Sequence, residues 1–168
     1  MQTTVNDKLV ELGTLVYNTD TAIQRSGVEM VEGFFNTHNE GDNVDVDTIA
    51  QLLYYLTDIQ VRDYALGILN PSNPVPYITA LNLLLEKAPT DTQYISAPAA
   101  LLAVIYYEIN NKEEALTVLT NAQDGYPLAL LLSRVFAAGF TPEGFATMRA
   151  DLHHKVVEGI YKTKKVGA

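Results

Sequence analysis

The sequence predicts an all-α fold, an irregular multi-helix bundle of about nine helices. Apolar residues recur at helical spacing along the whole chain, whereas no segment alternates apolar and polar residues as a strand does. Capping residues, prolines and glycines also stand where helices of this spacing would begin and end. With 168 residues, 48% of them hydrophobic and 18% charged, the chain has the length and composition of one folded domain.

The front half predicts four short helices. The first lies near the start of the chain, and Asp20 is the expected cap of the second. The polar segment from Thr37 to Asp47 is a predicted loop, at whose end Asp47 caps a third helix, and Asp58 caps a fourth. The predicted apolar stripes are Val5, Leu9, Leu12 and Val16; Ile23, Gly27, Met30, Val31 and Phe34; Ile49, Leu52, Leu53 and Leu56; and Val61, Tyr64, Ala65 and Ile68.

A proline-rich segment separates this half from the rest. Three prolines stand within residues 70–76, and proline neither continues a helix nor favours helical geometry in the residue before it. We therefore predict a single all-helical domain over 1–168, with a front subdomain of about 1–70, a linker at 70–76 and a back subdomain of about 77–168. Each half is small for a core of its own, so the linker is a candidate hinge.

The back half predicts a central helix that is buried on all sides. A helix over Tyr77–Ala88 precedes it, and the central helix runs from Ala97 to Asn110 with apolar residues all round, which is typical of a helix among several neighbours. Asn110 is the predicted cap of the next helix, which Gly125 ends.

Two amphipathic helices complete the predicted fold. One begins at Pro127 and ends at Gly139, with Phe140 expected to pack back against it, and Thr141 caps the other. Their predicted buried stripes are Leu128, Leu131, Leu132, Val135 and Phe136 in the first, and Phe145, Met148, Leu152, Val156 and Ile160 in the second.

One stretch of the back half resembles a single tetratricopeptide repeat. The small, large and proline positions of that helix-turn-helix are matched by Leu102, Ala103, Tyr106, Ala115, Leu119, Ala122 and Pro127. The pattern does not recur one repeat length away, so it predicts one tetratricopeptide-like hairpin and not a solenoid.

A second resemblance covers about residues 61–145. It is carried by Arg62-Asp63, the run from Ala97 to Ala103, Gly125-Tyr126-Pro127-Leu128-Ala129 with Leu131-Leu132, and Ala138-Gly139, Pro142 and Glu143. In the order and spacing of these groups the chain resembles the C-terminal half of an actinobacterial domain-of-unknown-function family, the one numbered four-one-nine-two. The front half is unlike that family's N-terminal half. The resemblance implies no activity, but it implies an actinobacterium or one of its phages as the source.

Composition and charge exclude several kinds of site and partner. Because the chain has no cysteine, it has no disulfide and no thiolate metal site, which suits a reducing cytoplasm. The net charge of −9 disfavours a nucleic-acid partner. The longest uncharged apolar run is too short for a bilayer and no signal peptide is expected, so we predict no membrane partner and a cytoplasmic protein, in the host cytoplasm if a phage encodes it.

No catalytic residue, metal ligand or cofactor is predicted. Phosphate-binding glycine motifs, nucleophile elbows and zinc-protease motifs are all absent from the sequence. The acidic loop with Glu40, Asp42, Asp45 and Asp47 lacks the ligand spacing of an EF-hand. His153 and His154 are adjacent on a helix and so point about 100° apart. The lysines at 162, 164 and 165 are interpreted as a solvated helix end that complements the helix dipole.

Partner contacts are predicted at Tyr55, Tyr107, Tyr126 and Arg134, because tyrosine and arginine are enriched at protein interfaces. In each tyrosine pair, Tyr54-Tyr55 and Tyr106-Tyr107, one ring is expected in the core and the other at the surface. Arg134 projects away from the apolar face of its helix.

The sequence therefore predicts a non-catalytic helical module that binds another protein, a host protein if a phage encodes the chain, with homo-oligomerisation as a variant. Two alternatives stay open. One is an enzyme with an unrecognised site, where His153 or His154 meets carboxylates or Arg134. The other is an acidic mimic of nucleic acid, with Glu29, Glu32, Glu40 and Asp42 strung along one face.

Overall fold

The computed structural model describes residues 3–13 and 20–161, and over these residues it contains nine α-helices and no strand. The helices are α1 (Val5–Gly13), α2 (Thr21–Thr37), α3 (Val46–Tyr55), α4 (Ile59–Ile68), α5 (Val75–Lys87), α6 (Gln93–Glu108), α7 (Lys112–Leu119), α8 (Pro127–Ala137) and α9 (Pro142–Tyr161). The predicted all-α class is confirmed. Val16 of the first predicted stripe and the lysines at 162, 164 and 165 lie outside the described residues. Within them, no helix combines the length and the apolar character needed to cross a membrane.

Helix α6 is the centre of the core. Its apolar residues on all sides, Leu101, Leu102, Val104 and Ile105 among them, are fully buried, as the sequence predicts. It packs against α3, α4, α5, α7, α8 and α9, and one apolar cluster joins residues of the front and back halves. A tight turn links α6 to α7, which are close neighbours; their likeness to a tetratricopeptide hairpin stays a prediction.

The last two helices rest on different neighbours. Helix α8 packs on α6 and α7, whereas α9 returns to the front half and packs on α4 and α2, with a further contact to α6. The stripes of α8 and α9 therefore share only α6 as a neighbour and, along most of their length, do not meet each other.

Several helix starts follow local capping chemistry. The carboxylate of Asp20 accepts a hydrogen bond from Ala22 N at 2.7 Å, and that of Asp58 accepts from Gln60 N at 2.8 Å, so both predicted caps are confirmed. The hydroxyl of Thr141 likewise accepts from Gly144 N at 3.0 Å.

Two predicted caps are wrong by one or two residues. Asp45, not Asp47, caps α3 by accepting from Thr48 N at 2.7 Å, while Asp47 forms an ion pair with Lys8 at 3.2 Å. Asn111, not Asn110, caps α7, and Asn110 has a φ of 65°. In both places two adjacent or near-adjacent residues have capping side chains, and the backbone geometry decides which one is used.

Three predicted boundaries also move. Helix α5 begins at Val75, so Pro76 lies in its first turn, where a missing N–H leaves no helical hydrogen bond unmade. Helix α6 begins four residues earlier than predicted and contains Pro98. Helix α7 ends at Leu119, and Gly125, with a φ of +80°, lies in the turn before α8.

The corrected cap of α3 gives a direct test. Replacing Asp45 with alanine should lower the free energy of unfolding by about 1 kcal/mol, because an orphan N–H of the first turn loses its acceptor. Asp47→Ala, the matched control, loses only an exposed ion pair and should cost a few tenths of a kcal/mol. Urea denaturation followed by far-ultraviolet circular dichroism measures both. A larger loss for Asp47→Ala would contradict the assignment.

Candidate functional site

An apolar groove runs between α8 and α9, with α4 at its floor. We call it the α8–α9 groove. Its volume is about 270 Å³. Its apolar lining consists of Leu66 from α4, Leu128, Leu131, Leu132 and Val135 from α8, and Phe145, Met148 and Leu152 from α9; Arg62, Asp63 and Arg149 complete it.

The groove exists because two amphipathic stripes are only partly covered. Leu131 is 55% exposed, Met148 47% and Leu152 38%, although each stands on a stripe predicted to be buried. The inner residues of the same stripes, such as Phe136 and Ile160, are fully buried. The prediction of a wholly buried stripe is therefore wrong for these three side chains, because no helix of the described chain covers that side. Phe140, which is predicted to pack back against α8, is also exposed.

The charged groups at the edge of the groove are already engaged. The Arg62 guanidinium donates to Asp63 Oδ1 at 2.8 and 2.9 Å and to Tyr126 Oη at 3.3 Å, and it lies 5.8 Å from the centre of the Tyr126 ring. Burial raises the pKa of Tyr126, an effect that Arg62 opposes. A ligand that enters the groove therefore contacts apolar surface, because the polar groups at its edge are already paired with one another.

Arg149 ties the floor of the groove to the core. Its side chain is buried and forms an ion pair with Glu108, the last residue of α6, including a hydrogen bond of 2.8 Å to Oε1. It also donates to the carbonyl oxygens of Leu66 at 2.6 Å and Leu69 at 3.2 Å. These carbonyls stand at the C-terminal end of α4, where helical partners are lacking. Arg149 thus joins the ends of α4 and α6 and leaves no free charge in the groove.

The histidines do not gather into one site. His153 packs against Gly67 and lies 4.9 Å, between ring centres, from Tyr64; burial lowers its pKa, and the nearby Glu32 opposes this. His154 is exposed and faces Glu158 at 3.8 Å. His38 lies elsewhere, at the end of α2. In residues 3–13 and 20–161, no three histidine, aspartate or glutamate side chains come together as metal ligands.

A hydrogen bond between α2 and α4 lies next to His153. Tyr64 Oη donates to Glu32 Oε2 at 3.1 Å. Burial, and then the charge of Glu32, raise the pKa of Tyr64 to about 12. Glu29 and Glu32 also raise the pKa of Tyr161, after burial, so both carboxylates lie toward α9. The other two acidic residues named for a mimic, Glu40 and Asp42, lie instead beside α5.

The comparison with known families bears on both walls of the groove. The family described as Domain of unknown function (DUF4192) matches residues 5–143. The chain belongs to the DUF4192 family. The match begins in α1, so it includes the front half, which the predicted resemblance over 61–145 left out. In this DUF4192 protein the α8 wall lies inside the matched range, and the α9 wall, from Phe145 onward, follows it. No curated protein and no solved structure matches the chain.

Two of the four predicted contact residues flank the groove of this DUF4192 protein. Tyr126 is half-buried and bonded to Arg62, and Arg134 is exposed on α8, three residues after Leu131 and so on a neighbouring part of the helix surface. Tyr55 is half-buried against Gly27 of α2. Tyr107 is buried: its ring stacks on Phe136 with 4.2 Å between centres, and its hydroxyl donates to the carbonyl of Phe140. The expected surface position of Tyr107 is therefore corrected.

Sequence reasoning did not identify Leu131, Met148 and Leu152 as surface residues. Their helical spacing is the same as that of core residues on α8 and α9. The available signal was indirect: the back half has apolar stripes on every helix, and only a tertiary arrangement tells which of them has a neighbour.

Proposed function

We propose that this protein is a non-catalytic helical module that binds a helix of another protein in the α8–α9 groove. The observation that carries the proposal is the exposure of Leu131, Met148 and Leu152 on two facing apolar stripes. Monomeric surfaces rarely leave such residues together unless they are used for interaction.

The chemistry of the groove supports side chains of a partner over a small metabolite. Small-molecule pockets usually measure about 300–1,000 Å³ and contain a few free polar groups that orient the ligand. The groove is slightly smaller, at about 270 Å³, and its arginines are held by Asp63, Tyr126 and Glu108. An amphipathic helix offers apolar side chains at the spacing that a groove between two helices accepts.

Charge favours a different protein over a second copy of this chain. The chain has twenty acidic and eleven basic residues, a formal net charge of −9. A second copy brings the same excess of negative charge, which opposes association. If the chain is of phage origin, the partner is a protein of the actinobacterial host. Self-association remains an outcome that the experiment below detects.

Two neighbouring leucines of α8 provide a matched test. Leu131 lines the groove and Leu130, 50% exposed, lies on the other side of the same helix. We expect Leu131→Arg to weaken the binding of a protein captured from actinobacterial lysate by about thirtyfold, the effect of losing one interface hot spot. Leu130→Arg adds the same charge and should leave binding within about twofold.

The measurement is surface plasmon resonance with the purified captured protein, after circular dichroism shows that both variants are folded. A photo-crosslinker at position 148 should join the two proteins. Equal weakening by both variants, or no specific capture by the folded chain, would argue against the proposal. A concentration-dependent dimer that Leu131→Arg dissociates would assign the groove to a second copy instead.

A further inference from the structure

Two side chains of α9, one helical turn apart, hold this helix against the C-terminal end of α4. Arg149 donates to the carbonyl oxygens of Leu66 and Leu69. His153, four residues later, packs on Gly67. The packing is close, because even a Cβ added to Gly67 would overlap the imidazole. The His153 ring therefore lies directly against the backbone of α4.

The Nδ1 atom of His153 has no partner at this contact. It is buried, and no described atom forms a hydrogen bond with it. A neutral imidazole has one N–H and one acceptor nitrogen, whereas the charged ring has a proton on both nitrogens. The neutral ring fits when its proton is on Nε2. The charged ring must place an N–H against Gly67, and a buried donor without an acceptor is costly.

The charges around the contact do not offset this cost. Arg149 and His154, on the same helix, oppose protonation of His153. Glu32 favours it, but the Glu32 carboxylate already accepts a hydrogen bond from Tyr64. Burial has the largest effect and lowers the pKa of His153. The titratable and charged groups around the α4–α9 contact are Glu32 on α2, Tyr64 on α4, Glu108 on α6, and Arg149, His154 and Tyr161 on α9.

We propose that His153 is a pH-sensitive latch between α4 and α9, closed while its imidazole is neutral and released when the imidazole takes up a proton. On release the charged ring turns from Gly67 to water, so the interface loses this contact and α9 loosens. Because α9 is also one wall of the α8–α9 groove, the latch acts on the groove as well. The proposal does not depend on a bound partner and is tested on the chain alone.

The direction of the effect follows from proton linkage. A histidine in water titrates near pH 6.5, so the released state binds a proton more readily than the latched state. The latch is therefore closed above about pH 6.5 and is progressively released as the pH falls through that value.

Amide hydrogen exchange at pH 7.5 and 5.5, corrected for the intrinsic exchange rate, measures the release. We expect protection in α4 and α9 to fall by about fivefold at pH 5.5, the effect of one buried donor left without an acceptor. Protection in α7, which packs on α6 and α8, should change by less than about twofold.

Two adjacent histidines give matched variants. His153→Asn has no titrating ring, so protection in α4 and α9 should be the same at both pH values. His154→Asn removes an exposed imidazole from the same helix and should keep the fivefold change. Should His153→Asn not fold, the nuclear magnetic resonance titration of the His153 ring in the unmodified chain gives the answer, because its midpoint should lie below pH 6.5.

Three results would overturn the proposal. One is a pH dependence in His153→Asn equal to that of the unmodified chain. Another is an equal loss of protection in α7, which would indicate a general effect of acid. The third is a His153 ring that titrates at or above about pH 6.5.

Discussion

Replacing Arg149 with methionine is expected to lower the free energy of unfolding by about 3–5 kcal/mol. The change leaves the Glu108 carboxylate buried without its partner, and breaking a buried ion pair on one side costs far more than the pair contributes. It also frees two carbonyl oxygens at the end of α4 that Arg149 satisfies. Methionine keeps most of the side-chain length, so the loss reports on the polar contacts and not on a cavity.

Urea denaturation at neutral pH measures this effect, with Arg134→Met as the matched control. Arg134 is exposed on α8, so its replacement should change stability by no more than about 0.5 kcal/mol. The double variant Arg149→Met/Glu108→Leu separates the two causes. If the double variant recovers most of the lost free energy of unfolding, the unpaired Glu108 charge causes most of the loss. If it recovers little, the unsatisfied carbonyl oxygens of α4 cause most of it. A loss below about 1 kcal/mol in the single variant would contradict the structural role assigned to Arg149.

Replacing Gly67 with alanine is expected to cost about 3 kcal/mol, at the upper end for an overpacked contact. Gly67 lies in α4 where α9 crosses it, and an added Cβ would lie 2.5 Å from the Cβ of His153 and nearer still to its ring. A rotation of the His153 side chain does not relieve the clash, because the Cβ of His153 is itself too close. The two helices must move apart, which opens the α4–α9 interface.

A second glycine gives the control for this prediction. Gly33 lies inside α2 and an added Cβ there would meet nothing within 4 Å, so Gly33→Ala should stabilise the protein by about 0.5–1 kcal/mol. Thermal and urea denaturation of both variants show the difference in sign. Adding His153→Gly to Gly67→Ala should recover much of the loss, whereas His153→Ala, which keeps the Cβ, should recover little. A stable Gly67→Ala variant would mean that α4 and α9 do not pack this closely.

The helices themselves could be predicted because their signals are local. The stripe of α3 at Ile49, Leu52, Leu53 and Leu56 and the caps Asp20 and Asp58 depend only on residues within one or two turns. The apolar residues on all sides of α6 likewise indicated a central position. Where two capping residues compete, as Asp45 and Asp47 do, sequence spacing alone does not choose between them.

The family membership, too, could be predicted from the chain, although over too short a range. The resemblance was carried by the back half, where Gly125-Tyr126-Pro127 and Pro142 mark the starts of α8 and α9. The front half has fewer such marked positions, yet the family match reaches residue 5.

The sequence by itself determined which residues form helices and which face of each helix is apolar, because helical spacing and capping act between near neighbours. The tertiary structure alone decided which apolar faces are covered. Leu131 and Leu132 have the same chemistry and adjacent positions, yet one is 55% exposed and the other is buried. The reason is physical: α8 rests on α6 and α7 while α9 rests mainly on α4, with α2 and α6 as further neighbours, so no helix of the described residues fills the space between their outer stripes. Burial of Arg149 depends in the same way on contacts across more than forty residues of chain, between α9 and the ends of α4 and α6.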